Sequence, residues 1–214
     1  GADGLILLRD HPKHDFEMLY FNSDGIESSL CGNGARCIVN FAFNLGIISE
    51  KTDFIAIDGL HQANLIDSDV SVKFNDISKI ELENNNMVID SGSPHFIILH
   101  EDIDHININN EARKIRNSKK YKSEGINVNF VNIDDVISIR TYERGVEAET
   151  LSCGTGAVAT AVGLHYSKNI EDNIIELNTK GGVLTVSFDE FNGCYKNIWL
   201  TGAVNLVYIG EFEC

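Results

Sequence analysis

Two short stretches hold the residues best suited to chemistry: Cys31-Gly-Asn-Gly-Ala35, inside Ser29–Cys37, and Cys153-Gly-Thr-Gly-Ala157, inside Leu151–Val158. Each sets a cysteine directly ahead of an apolar-periodic segment. Each therefore predicts a helix that begins at a thiol and at backbone amides no side chain shields. A helix N-terminus binds anions through its free N–H groups and positive dipole end, and the same field lowers the pKa of a thiol placed there. Two such starts predict two activated thiols facing one acidic substrate. Thiols on opposite sides of a carbon suit inversion of a stereocentre, in which one removes a proton from one face and the other delivers a proton to the opposite face. One is thiolate while the other is thiol, and they exchange roles with direction. Negative charge developing beside a substrate carboxylate would meet the amides of Gly32, Asn33, Gly154 and Thr155. The scheme needs no cofactor.

Cysteine is otherwise often a small buried hydrophobe, and that is the expectation for Cys37, Cys194 and Cys214. Five cysteines without a Cys-x-x-Cys pair argue for free thiols over a disulfide framework or structural zinc. A metal site built on Cys31 and Cys37 lacks nearby partners at the usual spacing, so no metal is expected.

The pair of motifs is no accident of composition. Cys31 and Cys153 lie 122 positions apart, and Tyr20 with Tyr142, Glu27 with Glu149, Gly32 with Gly154, Gly34 with Gly156, and Gly59 with Gly181 repeat at that offset. A constant offset without a gap marks an internal duplication, which predicts two similar domains presenting equivalent helix starts to one another.

Cys31-Gly-Asn-Gly-Ala-Arg-Cys37 after Asn22-Ser-Asp-Gly25, and Tyr142-Glu-Arg-Gly145 followed by Glu149-Thr-Leu-Ser-Cys-Gly-Thr-Gly156, resemble the two signatures of the diaminopimelate epimerase family. The resemblance continues through Gly1-Ala-Asp-Gly4, Ser93-Pro-His95, Gly125-Ile-Asn-Val-Asn129 and Gly181-Gly182, and so spans essentially the whole chain. It implies Cys31 and Cys153 as the catalytic pair. It also implies that Asn22, Asn127 and Arg144 hold the distal end of an amino-acid substrate, with Arg144 forking onto a second carboxylate. Glu143 and His95 would sit beside the thiols and assist proton balance. Taken singly these residues argue for blander roles: a turn for Asn22, a strand end for Asn127, a surface site after proline for His95, and a surface ion pair for Glu143 with Arg144. Two departures stand out. Ser93 replaces the family's usual Asn, and the Glu143–Thr150 segment is one residue longer than the usual spacing.

The chain carries 17 basic and 32 acidic side chains, for a formal charge of −15. Such a surface repels phosphate backbones and anionic lipid, so neither nucleic acid nor membrane is an expected partner. No apolar run approaches membrane-spanning length and no secretory leader is visible, which predicts a cytoplasmic protein. Only thirty residues precede Cys31, and the counterparts of Ser93, Pro94 and His95 would fall ahead of Gly1. The expectation is that an N-terminal piece, carrying the family's early Asn-Asp-Phe motif, is missing.

Short apolar runs at Gly4–Leu8 and Glu17–Phe21 predict strands, with a turn at Asn22–Gly25. Apolar residues from Ile38 to Leu45 fall at helical spacing and are closed by Gly46. Their spread round the helix predicts one wrapped by sheet. Alternation from Thr52 to Phe74 predicts strands, and Asn84-Asn85-Asn86 is a polar break. Beyond it come strand from Met87 to His100, a charged helix from Asn109 to Lys120, strands at Ile126–Phe130 and Val136–Tyr142, and a second central helix from about Gly154 to His165. Strands follow at Ile174–Phe188 and Lys196–Tyr208. The expected fold is α+β: two pseudo-symmetric domains, residues 1–84 and 85–204, each a curved and mostly antiparallel sheet around one helix, with the tail 205–214 returning to the first. The leading functional expectation is a cofactor-independent epimerase of diaminopimelate, acting as a homodimer. A racemase of another amino acid and a non-catalytic amino-acid-binding protein are the alternatives.

Overall fold

The computed structural model describes residues 4–22, 25–27 and 31–211. The opening Gly1-Ala-Asp, the middle of the Asn22–Gly25 turn, Ser29 and Leu30 ahead of the first thiol, and Cys214 lie outside the described residues.

In the first half, Gly4–Arg9 (β1) and Phe16–Asn22 (β2) lead into the helix Gly32–Asn44 (α1), followed by Lys51–Ala56 (β3), Gly59–Ile66 (β4) and Asp69–Phe74 (β5). The second half opens with Ile80–Glu83 (β6), Asn86–Asp90 (β7), Pro94–Leu99 (β8), the helix Ile108–Arg116 (α2) and Asn127–Ile133 (β9). It continues through Ile137–Glu143 (β10), Ala148–Thr150 (β11), the helix Gly154–Tyr166 (α3), Ile174–Thr179 (β12), Gly182–Phe191 (β13) and Cys194–Ala203 (β14). The duplication survives in three dimensions. Helices α1 and α3 are both 13 residues long and start 122 positions apart. Each links a parallel strand pair, β2 with β3 and β10 with β12, so the same strand–helix–strand crossover occurs twice.

The strands join into one sheet in the order β1-β2-β3-β4-β5-β14-β13-β12-β10-β9-β8-β7-β6, with β11 on β10. Strand β14 belongs to both halves. It pairs with β13 on one side and with β5 from Ile198↔Phe74 to Ala203↔Asp69 on the other. Ile77 and Tyr195 exchange backbone hydrogen bonds of 2.9 and 2.8 Å, sealing the segment before β6 against β14. Asn84 and Asn85, with φ of 49° and 66°, make the hairpin turn between β6 and β7, so the break expected at 84–86 falls inside a hairpin. We propose that the halves divide at residues 75–79 instead. Val204 packs against the first-half core, while Leu206, Val207, Tyr208 and Ile209 beyond it are exposed. Among the described residues no helix is long and apolar enough to cross a membrane.

Helix α3 is the better wrapped of the two. Its small residues let strands approach closely: a Cβ on Gly163 would lie 3.1 Å from Met87 Sδ and 3.2 Å from both Ile89 Cδ1 and Ile97 Cδ1. Helix α1 buries Ala35, Ile38, Val39 and Ala42 against Phe16, Met18, Phe54 and Val72, yet leaves Phe41, Phe43 and Leu45 exposed. The expectation of a helix wrapped on most sides therefore holds for α3 but not for α1. The cause is topological, because β7 and β8 cover the α3 face that includes Gly163, and no described strand covers the matching α1 face around Phe41. Cys37 lies on that uncovered face and is exposed, which corrects its reading as a buried hydrophobe; Cys194 is half-buried. Helix α2 is shorter than expected, and the Asn107 side chain caps its start by accepting from Asn110 N at 3.1 Å.

Leu200 of β14 is fully buried where the two helix starts come together. Leu200→Ala should cost about 2–5 kcal/mol of folding stability. Urea unfolding should show this as a lower midpoint at an unchanged slope, and an unchanged midpoint would mean that Leu200 does not support the junction.

Candidate active site

The two helix starts touch through glycine. A Cβ on Gly32 would lie 3.5 Å from Gly154 Cα, and one on Gly154 would lie 3.4 Å from Gly32 Cα and 2.9 Å from Leu200 Cδ2. A methyl group at Gly32 would just touch the Gly154 backbone, and one at Gly154 would have to displace the tip of Leu200. Cys31 and Cys153 occupy the N-cap positions in extended backbone, and neither uses its side chain to cap its helix. Both thiols are thus left to the junction. Asn33 Nδ2 crosses it, donating to Ser152 O at 3.0 Å.

Cys153 is buried and Cys31 half-buried. Burial, the nearby Glu143 carboxylate and, as a smaller effect, Cys31 push the Cys153 thiol up to about 12, although the Thr155 side chain and the Gly156 N–H pull the other way. The expectation that a helix start lowers its thiol pKa is reversed here. Removing the anion from water beside Glu143 costs more than the two hydrogen bonds return. At neutral pH Cys153 is a thiol.

His95 is fully buried, not the surface residue its sequence context alone implied. Its Nε2 lies 2.9 Å from Thr155 Oγ1 and its Nδ1 lies 3.0 Å from Asn129 Nδ2. Thr141 Oγ1 donates to Asn129 Oδ1 at 2.8 Å, which turns the Asn129 NH2 towards the ring. Assigned from these partners, the imidazole proton sits on Nε2 and is donated to Thr155. The Thr155 hydroxyl hydrogen is then free for Cys153 Sγ, 3.4 Å away. Burial lowers the His95 pKa to about 3, so the ring is neutral.

A second group lies beside this one. Asn127 Nδ2 donates to Ser93 Oγ at 2.8 Å and to Pro94 O at 2.9 Å, and Asn127 Oδ1 accepts from Arg144 N at 2.8 Å. The Arg144 guanidinium donates to Glu124 O at 3.1 Å and Ser93 Oγ at 3.3 Å. Its stem lies over Gly125, where a Cβ would fall 2.6 Å from Arg144 Cδ. Among the described residues no carboxylate pairs with Arg144, so the surface ion pair with Glu143 does not form. Glu143 instead accepts from Thr150 Oγ1 at 2.6 Å. In the longer loop Glu147 accepts from Arg116 Nε, Tyr142 OH and Gly145 N at 3.1, 3.1 and 3.2 Å, which fastens the extra residue.

The structure thus gathers Cys31, Gly32, Asn33, Cys153, Gly154, Thr155 and His95, and continues through Asn127 to Arg144, with Glu143 near Cys153. Asn22 ends β2 in the first half, and its backbone is tied to Gly25 and Ile26. The sequence reading missed Asn129, Thr141, Arg36 and Leu200. Asn129 carried a signal, since strand alternation places it on the same face of β9 as Asn127. Leu200 carried none.

Solved structures share the fold. A phenazine biosynthesis protein of the PhzF family from Bacillus anthracis superposes with a TM-score of 0.73 at 15% identity, over 95% of this chain and 82% of the other. A probable proline racemase from Agrobacterium radiobacter gives 0.67 at 16% identity, over 94% and 72%. Both likenesses define the class of architecture alone. The sequence carries the assignment further. The profile described as Diaminopimelate epimerase matches residues 87–207. Proteins named diaminopimelate epimerase are 46% identical in Flavobacterium psychrophilum, over 97% of this chain and 82% of the relative, and 38% identical in Aquifex aeolicus, over 100% and 81%. The chain belongs to the diaminopimelate epimerase family.

Two outcomes follow from the geometry. An unfolded chain protonates histidine near 6.5 and the folded one only near 3, so stability should fall as pH drops through that window. The contribution of His95 to the slope is at most about 1.4 kcal/mol per pH unit. Urea midpoints should fall less steeply for His95→Gln, and equal slopes would place the acid sensitivity elsewhere. Because the two helix starts touch, diamide should join Cys31 to Cys153, reversibly by reductant. Peptide mapping that finds Cys31 joined only to Cys37 would contradict the arrangement.

Proposed function

We propose that this isomerase interconverts L,L- and meso-diaminopimelate, a lysine and peptidoglycan precursor, by proton transfer between Cys31 and Cys153 on opposite faces of the α-carbon. The observation that carries the reading is the contact of the two helix starts at Gly32 and Gly154, each led by a thiol. Family membership supports the substrate. The amides of Gly32, Asn33, Gly154 and Thr155 receive the α-carboxylate and the charge that develops beside it. Cys153, held protonated by its burial, starts as the proton donor while Cys31 abstracts; the reverse direction exchanges the roles. The neutral His95 acts through Thr155, supplying the hydrogen bond that steadies Cys153 when it becomes a thiolate. Glu143, whose charge Cys153 senses, opposes that thiolate and favours its reprotonation.

Arg144, without a carboxylate partner among the described residues, takes the distal carboxylate as a charge-assisted fork, with Asn127 and Asn22 holding the same end of the substrate. No cofactor takes part. The working enzyme is a cytoplasmic homodimer. Ser93, joined to both Asn127 and Arg144, favours one further reading: a racemase of another amino acid with the same two-thiol chemistry and a reshaped distal pocket.

Turnover of purified full-length protein on a panel of amino acids separates the two, and faster turnover of a monocarboxylic one would displace diaminopimelate. The paired bases are tested in heavy water. A thiolate holds only the proton it takes, so early product should carry solvent deuterium at the α-carbon while unreacted substrate stays largely unlabelled. Cys31→Ala and Cys153→Ala should each abolish inversion, and the serine variants should slow it severely because the hydroxyl pKa is far higher. Efficient epimerisation by either alanine variant would show that the cysteines are not the bases.

A further inference from the structure

Arg36 lies in the first turns of α1 and is only 6% exposed. A buried guanidinium normally faces a carboxylate, but among the described residues none is paired with Arg36. Burial lowers its pKa and outweighs the opposing influence of Cys37, Cys31 and Asp69 nearby. Its Nη2 donates to Asn33 Oδ1 at 2.9 Å and its Nη1 to Gly32 O at 3.4 Å, while Nε has no partner among the described residues. Gly202 of β14 makes room for it, since a Cβ there would lie 3.3 Å from Nε and 3.5 Å from Cζ. The fold therefore accepts a buried charge and an unsatisfied donor at this point, at a cost that packing alone would not incur.

What Arg36 does is fix the Asn33 amide. A guanidinium only donates, so the amide group facing it is the oxygen, and the NH2 is turned outward onto Ser152 O, 3.0 Å away in the other half. Ser152 directly precedes Cys153, so the chain of contacts Arg36–Asn33–Ser152 runs from one thiol-bearing segment to the other. The repeat makes the point sharper. At the shared offset Asn33 corresponds to Thr155 and Arg36 to Val158. Thr155 is held by His95 and stays within its own half, whereas Asn33 is held by Arg36 and reaches across.

We propose that Arg36 is a positioning residue for the reaction: by gripping the Asn33 amide oxygen it directs the Asn33 NH2 onto the Ser152 carbonyl and so sets how the two thiol-bearing helix starts are spaced. The effect on rate rests on the two-thiol reading; the effect on spacing does not. A displacement of the order of an ångström at such a pair costs up to about a hundredfold in rate.

Four variants of the full-length protein, Arg36→Met, Arg36→Lys, Asn33→Ala and the double Arg36→Met/Asn33→Ala, test it with three readouts. These are kcat and KM, the rate at which diamide joins Cys31 to Cys153, and the melting temperature. Arg36→Met should lower kcat about tenfold to a hundredfold with KM changed less than about threefold, and should slow the cross-link. Arg36→Lys should recover part of kcat, since it restores a donor without the planar fork. The double variant should lose no more than Asn33→Ala alone, because both act through one contact. Wild-type kcat and cross-linking in Arg36→Met, or losses that multiply in the double, would overturn the proposal. If Arg36→Met fails to fold, Asn33→Asp decides, since it keeps an acceptor for Arg36 and removes the donor to Ser152. It should show the same losses at an unchanged melting temperature, and wild-type values would refute the role. Should the wild-type protein not turn over diaminopimelate, the functional reading fails, while the cross-linking rates still judge Arg36.

Discussion

Everything in this molecule depends on two polypeptide backbones meeting where side chains are absent. Gly32 and Gly154 each follow a thiol, and each is close enough to the other that a methyl group would meet backbone. That contact decides where the cysteines stand, because both occupy the residue just before a glycine, at the N-cap of its helix. It also dictates the sheet. Two helix starts can meet end to end only if the strands around them are continuous across the junction, and β14, paired to β13 and β5 at once, supplies that continuity. Leu200 projects from that strand to fill the space under both glycines.

The electrostatics of the site come from competition between burial and dipole. Helix N-termini favour anions, yet Cys153 titrates far above an ordinary thiol because it is closed off from water and shares its surroundings with Glu143. The same closure keeps His95 neutral and makes it a hydrogen-bond donor instead of a charge. On the reading proposed above, such a site holds its acid protonated and meets the negative charge that the substrate brings. On that reading the field of the two helices acts on the reacting molecule, where charge develops, and not on a resting thiolate.

Much of this was legible in the sequence because a duplication is a strong signal. The constant offset gave both central helices and the expectation that Cys31 and Cys153 face one another, whereas the parallel crossovers and the contact of Gly32 with Gly154 came only from the fold. Other features were hidden for identifiable reasons. The break expected at Asn84-Asn85 lies in a hairpin, because its turn chemistry serves a hairpin as well as a boundary. Cys37 and Phe41 looked buried because helical periodicity records which residues are apolar, not whether a strand is present to cover them. The burial of His95 and the rise in the Cys153 pKa depend on what β8 and β9 pack against, which no local pattern encodes.

The two halves began alike and differ where the reaction needs asymmetry. In each, the second residue after the thiol is gripped by a buried nitrogen base, but the grips differ: imidazole on a hydroxyl in one, guanidinium on an amide in the other. A hydroxyl that accepts from a neutral ring keeps its own hydrogen to donate to Cys153 Sγ, 3.4 Å away, a hydrogen bond that favours the thiolate. An amide held by a donor-only group can only turn its own donors outward, and Asn33 spends one on the opposite half. One copy of the duplicated motif thus places its gripped residue beside its own thiol, and the other sends it across to the opposite half. Two identical copies would do both jobs twice and leave the pair of thiols equivalent. On the two-thiol reading proposed above, Cys153 begins as the acid, its proton held in place by burial, and the Thr155 hydrogen bond steadies the thiolate it becomes.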